Sequence, residues 1–163
     1  MTIRDYQDAD WPALWPILHS VFRAGDTYAV EPAISEQDAQ TYWTRLPRRT
    51  LVMTGDDGSL LGTYYLKTNQ PGPGRHVCNC GYIVAAAARG QGVASALCRH
   101  SMKLARELGY DAMQYNFVAS TNSGAVRLWQ QHGFEIVGTL PGAFRHPQQG
   151  DVDAYVMYQQ LTA

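Results

Sequence analysis

The chain has 163 residues, 45% of them hydrophobic and 17% charged, and carries a net charge of -1. This suits a single soluble domain spanning residues 1–163 with one sizeable core. It argues against nucleic acid as the main partner, because neutralising phosphates needs a basic excess or stripe.

Taken in order, the chain opens on "TIRDY", a short strand. The polar, acidic start "MTIRDYQDAD" is neither a signal peptide nor a transit peptide. A helix is expected from about Asp10 to Arg23, with Trp11, Leu14, Trp15, Leu18, Val21 and Phe22 on one broad face. Pro12 falls in its first turn, where a missing N–H is harmless. "AGDTYAVEPA" reads as a loop. A second helix begins at the N-cap Ser35 and ends before Pro47. "TLVMT" and "LLGTYYLKT" flank "GDDGS", a hairpin signature. After the turn-rich "NQPGPG" comes the long strand "RHVCNCGYIV". A third helix is expected from Gln91 to Leu108, closed by Gly109. "DAMQYNFV" is a strand, and "STNSGAVRLWQQH" a fourth helix stopped at Gly133. "FEIVGTL" and "VDAYVMYQQL" are final strands, joined by a loop, "PGAFRHPQQG".

The order β-α-α-β-β-β-α-β-α-β-β predicts an α+β fold on a mixed sheet, not a doubly wound one. The longest apolar runs are too short to cross a bilayer, so no membrane partner is expected. Cys78, Cys80 and Cys98 form an odd set, which points to a reduced, cytoplasmic protein. They are too few for a zinc site, and no metal is expected.

"RGQGVASALCRH" raises the functional question, because Gly90 and Gly92 stand where a strand hands over to a helix. Glycines there let a backbone turn or be approached closely. The helix start offers unpaired N–H groups and a positive dipole end, and Arg89 adds a cation. That combination fits a phosphate or pyrophosphate. A Walker A loop is excluded by the missing Gly-Lys-Ser/Thr. A dinucleotide fingerprint is disfavoured because Ser95 replaces its third glycine and the run follows hairpins. A helix start that packs and binds nothing is the alternative.

"Arg89-Gly90-Gln91-Gly92-Val93-Ala94" resembles the Q/R-x-x-G-x-G/A signature of the GNAT superfamily of acyl-CoA-dependent N-acetyltransferases. "YIVAAAAR" is similar to the strand end before that signature, with Ala86 where a proline is usual. Asn122, Ala125, Leu128, Trp129, Gly133 and Phe134 resemble the family's second block, N-x-x-A-x-x-L-Y-x-x-x-G-F. The resemblance spans nearly the whole chain and implies the GNAT fold with splayed central strands. It implies acetyl-CoA as donor, its pyrophosphate on the N–H groups of Arg89, Gly90, Gln91, Gly92, Val93 and Ala94. The pantetheine arm would lie between "CGYIV" and "QYNFV", pairing with backbone near Ile83 and Val84. The Val84 N–H would polarise the thioester carbonyl, a catalytic role. Asn122 would cap its helix or bond the pantetheine. Trp129 departs from the family's tyrosine; an indole is no practical acid, so it would pack on the cofactor arm or the core.

The acceptor would be the amine of a small molecule. No carboxylate stands on the two central strands, so a general base is expected from a loop, as Asp26, Glu31, His76 or His146, or from water. Asn79 and Asn116 sit mid-strand, where asparagine is unfavourable. One reading is an amide that ties neighbouring backbone together. The other is a pair of catalytic-site amides holding the substrate. "NCGY" and "YNFV…TN" are similar to the fungal proline-analogue acetyltransferases, in which two such asparagines engage a small cyclic imino acid. Tyr28, Phe144 and Arg145 would shape the same pocket, with Arg145 pairing a carboxylate. The alternatives are a transferase for protein N-termini or lysines and a CoA-binding module without turnover. Helix four, the final strand or the aromatic surface is open to a homodimer contact.

Overall fold

The structure, a computed structural model, describes residues 1–162. Its elements are β1 (Thr2–Asp5), α1 (Trp11–Ala24), α2 (Glu36–Gln40), β2 (Arg49–Thr54), β3 (Leu60–Thr68) and β4 (Val77–Val84), then α3 (Val93–Glu107), β5 (Ala112–Ala119), α4 (Ser123–Gln131), β6 (Glu135–His146) and β7 (Gly150–Gln160). This is the expected order. The strands form one seven-stranded sheet, β1-β2-β3-β4-β5-β7-β6. Every pairing is antiparallel except that of β4 with β5.

Strand alternation divides the sheet into two faces. On one, Tyr65 and Ile83 meet α1 through Trp11, Leu14, Leu18 and Phe22. On the other, Tyr64, Leu66, Cys78 and Cys80 meet α3 through Val93, Leu97, Cys98 and Met102. The three cysteines are free and buried, and burial pushes the Cys98 thiol up to about 11. Among the described residues no helix is long and apolar enough to cross a membrane.

Two segments differ from the sequence expectation. The second helix starts as predicted, with the Asp38 N–H donating to Ser35 Oγ at 3.1 Å. It is α-helical only to Gln40, however, and continues as a wider π turn, Thr41–Arg45. That turn carries the bulky pair Tyr42 and Trp43. The fully buried Trp43 packs edge-on to Tyr65, ring centroids 4.8 Å apart, and its indole N–H donates to Thr63 Oγ1 at 3.0 Å. The second difference is β6. The expected loop after Leu140 is mostly strand, with Phe144 opposite Val152, Arg145 opposite Asp151 and His146 opposite Gly150. A register shift between Leu140 and Phe144 absorbs Pro141, which an edge strand tolerates. Gly142, at φ 60, donates its N–H to Asp153 Oδ1 at 3.0 Å within that shift.

Gly62 sets how close α3 comes to the sheet. A Cβ there would lie 2.9 Å from Val93 Cγ1 and 3.1 Å from Leu97 Cδ1, so the first turns of α3 rest on bare backbone. Gly62→Ala is predicted to overpack this seam and destabilise the fold by about 1–3 kcal/mol. A thermal melt should show a fall of about 2–4 °C per kcal/mol.

Candidate active site

The site begins where β4 and β5 stop pairing. Their parallel register holds only Val77 opposite Ala112 and Cys78 opposite Met113. A continued parallel ladder would next use the Gln114 carbonyl to accept from the Cys80 N–H. Instead that carbonyl accepts from Asn79 Nδ2 at 2.9 Å. A side-chain amide thus ends the ladder, and its Oδ1 faces the Tyr65 hydroxyl at 3.4 Å. On the far side of β5, the pairing with β7 shifts register between Tyr115 and Val118. Beyond the fork lies a cavity of about 940 Å³, lined from the end of α1, from β4 and β5, and from the starts of α3 and α4.

One edge of β4 faces this cavity with backbone. Asn69 N–H donates to the Val77 carbonyl and Ala85 N–H to the Leu61 carbonyl, both at 2.9 Å. These bonds turn the odd-numbered residues of β4 toward β3. Alternation then sends the N–H and C=O groups of Cys80, Tyr82 and Val84 toward the gap. The Val84 N–H therefore points into the gap. Ile83 does not share that edge: it stands opposite Thr63 of β3, and its side chain is buried under α1.

The mouth of α3 closes one end of the cavity. Gly90 and Gly92 take φ values of 76 and 79, and a Cβ on either would meet nothing within 4 Å. Gly92 is the N-cap, and Ala96 N–H makes the first intrahelical bond, to the Gly92 carbonyl. The N–H groups from Gly90 to Ser95 are left for a ligand, whereas the Arg89 N–H, also expected to meet the diphosphate, donates to the Ala86 carbonyl at 3.4 Å. Arg89, Gly90 and Ala94 line the cavity. Gln91 turns aside and donates to the Ala87 carbonyl at 3.1 Å, and Val93 is buried beneath the helix. Both can offer only backbone. Asn122 lines the cavity at the start of α4, and its side chain makes no capping bond. Trp129 is buried against Tyr82 and Tyr115, with ring centroids at 4.8 and 5.2 Å.

Sequence reasoning missed the hydroxyls behind Trp129. Tyr82 Oη lies 2.6 Å from Ser101 Oγ and 2.9 Å from Tyr115 Oη. Burial pushes both phenols well above their ordinary value, so they stay neutral. Only the alternating burial of "CGYIV" and "QYNFV" hinted that the two rings share a face.

The other end of the cavity is polar. The Tyr28 hydroxyl donates to the Tyr82 carbonyl at 2.7 Å, and desolvation holds this phenol well above its ordinary value too. Asn116 is exposed, and its amide is fixed in place: Gln114 Nε2 donates to its Oδ1 at 2.9 Å, and its Nδ2 donates to Asn69 Oδ1 at 2.7 Å. Asn69 and Gln114 were not singled out from the sequence. Tyr28, Asn79 and Asn116 are brought together here with Tyr65 and Lys67. Phe144 and Arg145 are not. Phe144 is buried with Ala119 and Ala154, and Arg145 pairs with Asp151 at 2.8 Å on the β6–β7 hairpin. The strand that replaces the expected loop carries both away from the cavity. Of the four candidate bases, Asp26 lines the cavity. Glu31 and His76 are exposed outside its lining, and His146 accepts the Gln148 and Gln149 N–H groups in a turn. Among the described residues no group of three metal-ligating side chains converges.

A glycine-mouthed helix beside two splayed strands is what the family signature required, and comparison with known proteins agrees. The Acetyltransferase (GNAT) family matches residues 10–134. A GCN5-related N-acetyltransferase from Kribbella flavida is 43% identical and superposes with a TM-score of 0.93, covering 98% of this chain and 96% of that one. N-acetyltransferase aca1 of Schizosaccharomyces pombe is 28% identical over 148 residues, 81% of this chain and 71% of its own length. A GNAT superfamily phosphinothricin acetyltransferase from Sinorhizobium meliloti, solved with acetyl-CoA, shares the fold at TM-score 0.87 and 19% identity, over 99% of this chain and 88% of that one. The chain belongs to the GNAT acetyltransferase family. It is an N-acetyltransferase that draws its acetyl group from acetyl-CoA. The residues present fit that donor: the α3 mouth has no side chain to fill it, and the β4 edge has no strand across it.

Gly92→Val tests the mouth. A Cβ at this φ carries a strain of about 1–2 kcal/mol, which a melt should register as a few degrees. Acetyl-CoA affinity, measured by calorimetry, is predicted to fall at least ~10-fold, since the branched side chain would stand in the space a diphosphate needs.

Proposed function

We propose that this enzyme acetylates the amine of a small molecule, an amino or imino acid, by direct attack on the acetyl-CoA thioester. The observation that supports the reading is the polar wall of the cavity, where Tyr28, Asn79 and Asn116 join Tyr65 and Lys67 in its lining. Several hydrogen-bonding side chains on one wall suit a compact polar acceptor. In this reading the protein is one GNAT domain, and its buried free cysteines suit a reducing cytoplasm. The edge strand β6, with Ile136, Val137 and Leu140 exposed, is where a homodimer would form.

The chain's own groups divide the work. N–H groups from Gly90 to Ala94 hold the diphosphate, with Arg89 adding charge. The outward backbone of Cys80, Tyr82 and Val84 binds the pantetheine arm as an added strand. The diphosphate lies beside Val84, so an N–H farther along this edge, at Tyr82 or Cys80, faces the oxygen on which charge develops, a donor worth about 3 kcal/mol. Asn79 keeps the strands apart, and Asn116 presents its amide to the acceptor. As the amine nitrogen bonds to the acetyl carbon, the C–S bond breaks and a thiolate leaves. An alkyl thiol pKa near ~8.5 makes that thiolate a fair leaving group without an acid at Trp129.

The amine must give up a proton. An alkylammonium titrates about three units above neutral, so deprotonation at pH 7 costs about 4 kcal/mol. Asp26, a carboxylate in the cavity lining, receives it in this reading. Asp26→Asn is predicted to lower kcat by about 10²-fold or more while leaving the KM for acetyl-CoA unchanged. An unchanged kcat would remove Asp26 from the mechanism. Steady-state thiol release over an amine panel tests the reading as a whole. Turnover with free amino or imino acids supports it. Turnover confined to peptides would replace it with a protein acetyltransferase.

A further inference from the structure

A second cation, Lys67, lines the cavity away from the α3 mouth. It lies on β3 directly opposite Asn79, with Tyr65 two residues earlier on the same face. All three line the cavity. Its ammonium does not lead away into solvent: Nζ sits 5.4 Å from the centre of the Tyr65 ring, a cation–π contact that holds the charge against the cavity wall. Among the described residues no carboxylate comes within salt-bridge distance of it. Elsewhere, Arg4, Arg49 and Arg145 are each paired with an aspartate.

The cavity's other unpaired cation, Arg89, stands at the α3 mouth, where the donor's diphosphate belongs. Lys67 stands on β3, opposite the residue at the apex of the fork. The donor needs no second cation there. An acceptor ammonium would be repelled by Lys67 unless the same molecule carried an anion to meet it. The neighbouring amides suit that anion. Asn116 is oriented by Gln114 and by Asn69, and Asn69 is two residues beyond Lys67 on the chain. A planar carboxylate can take a charged hydrogen bond from Lys67 and a neutral one from an amide N–H.

Building on the small-acceptor reading, we infer that Lys67 binds the carboxylate of the acceptor and makes the enzyme select amino or imino acids over plain amines. The carboxylate anchors beside Tyr65, and the amine on the neighbouring carbon is directed toward the thioester end of the donor. Lys67 is a specificity-determining residue in this scheme and takes no part in proton transfer.

The test uses matched pairs that differ only in the carboxylate: proline with pyrrolidine, alanine with ethylamine, phenylalanine with phenethylamine. The full-length enzyme should favour the acid of its best pair by about 10–100-fold in kcat/KM, the worth of one charged hydrogen bond. Lys67→Met should erase most of that preference, chiefly by raising the KM for the acid. Lys67→Arg should restore part of it. Calorimetric titration with acetyl-CoA should show both variants folded and donor-competent. If Lys67→Met lowers turnover of acid and amine alike, or leaves the preference intact, Lys67 does not read the carboxylate. The small-acceptor reading would then still stand. If the wild-type enzyme binds acetyl-CoA yet releases thiol with no acid or amine, both readings fall together.

Discussion

Everything in this molecule depends on β4 and β5 separating two rungs after they meet. Parallel strands with apolar faces ordinarily stay zipped, because each rung satisfies a buried donor and a buried acceptor. Here Asn79 satisfies the Gln114 carbonyl with a side chain and so removes the acceptor that the next rung would use. The register shift between Tyr115 and Val118 then bends β5 away on its other side. The unpaired edge that results would be a liability on an outer strand. In the middle of the sheet it becomes a binding surface of backbone groups with a fixed spacing.

Two further features make this opening useful. Gly62 lets α3 settle onto β3, so the mouth of that helix sits beside the end of β4 and its Val84 N–H. The neutral hydroxyls of Tyr82, Tyr115 and Ser101 satisfy one another beneath Trp129, which lets the α4 side of the cleft be closed by aromatic rings without orphaning those hydroxyls. One cavity thus carries two cations, Arg89 at the α3 mouth and Lys67 by the fork. Positioning, rather than any strongly activated side chain, is what the geometry offers.

Much of this was legible in the sequence. Alternating apolar patterns and turn residues gave the element order, and the glycine signature with the block from Asn122 to Phe134 gave the family. What the sequence withheld follows from its tertiary origin. The end of α2 widens because Trp43 is drawn to Thr63, a contact between residues 20 apart. β6 runs on past Pro141 because Gly142 finds Asp153 across the hairpin, so Phe144 and Arg145 leave the cavity. An asparagine inside a strand signals that an amide must be paired, but not with which carbonyl. Lys67 gave no signal at all, since a strand lysine normally reads as a solvated charge. Only the cavity shows that nothing neutralises it.

Amide hydrogen exchange along β4 reports whether the fork between β4 and β5 is open. In the free protein the N–H groups of Tyr82 and Val84 should exchange much faster than that of Ile83, which β3 protects. Acetyl-CoA should slow the first two and leave the third unchanged. Equal protection of all three before acetyl-CoA is added would mean a closed ladder, and the fork would not exist.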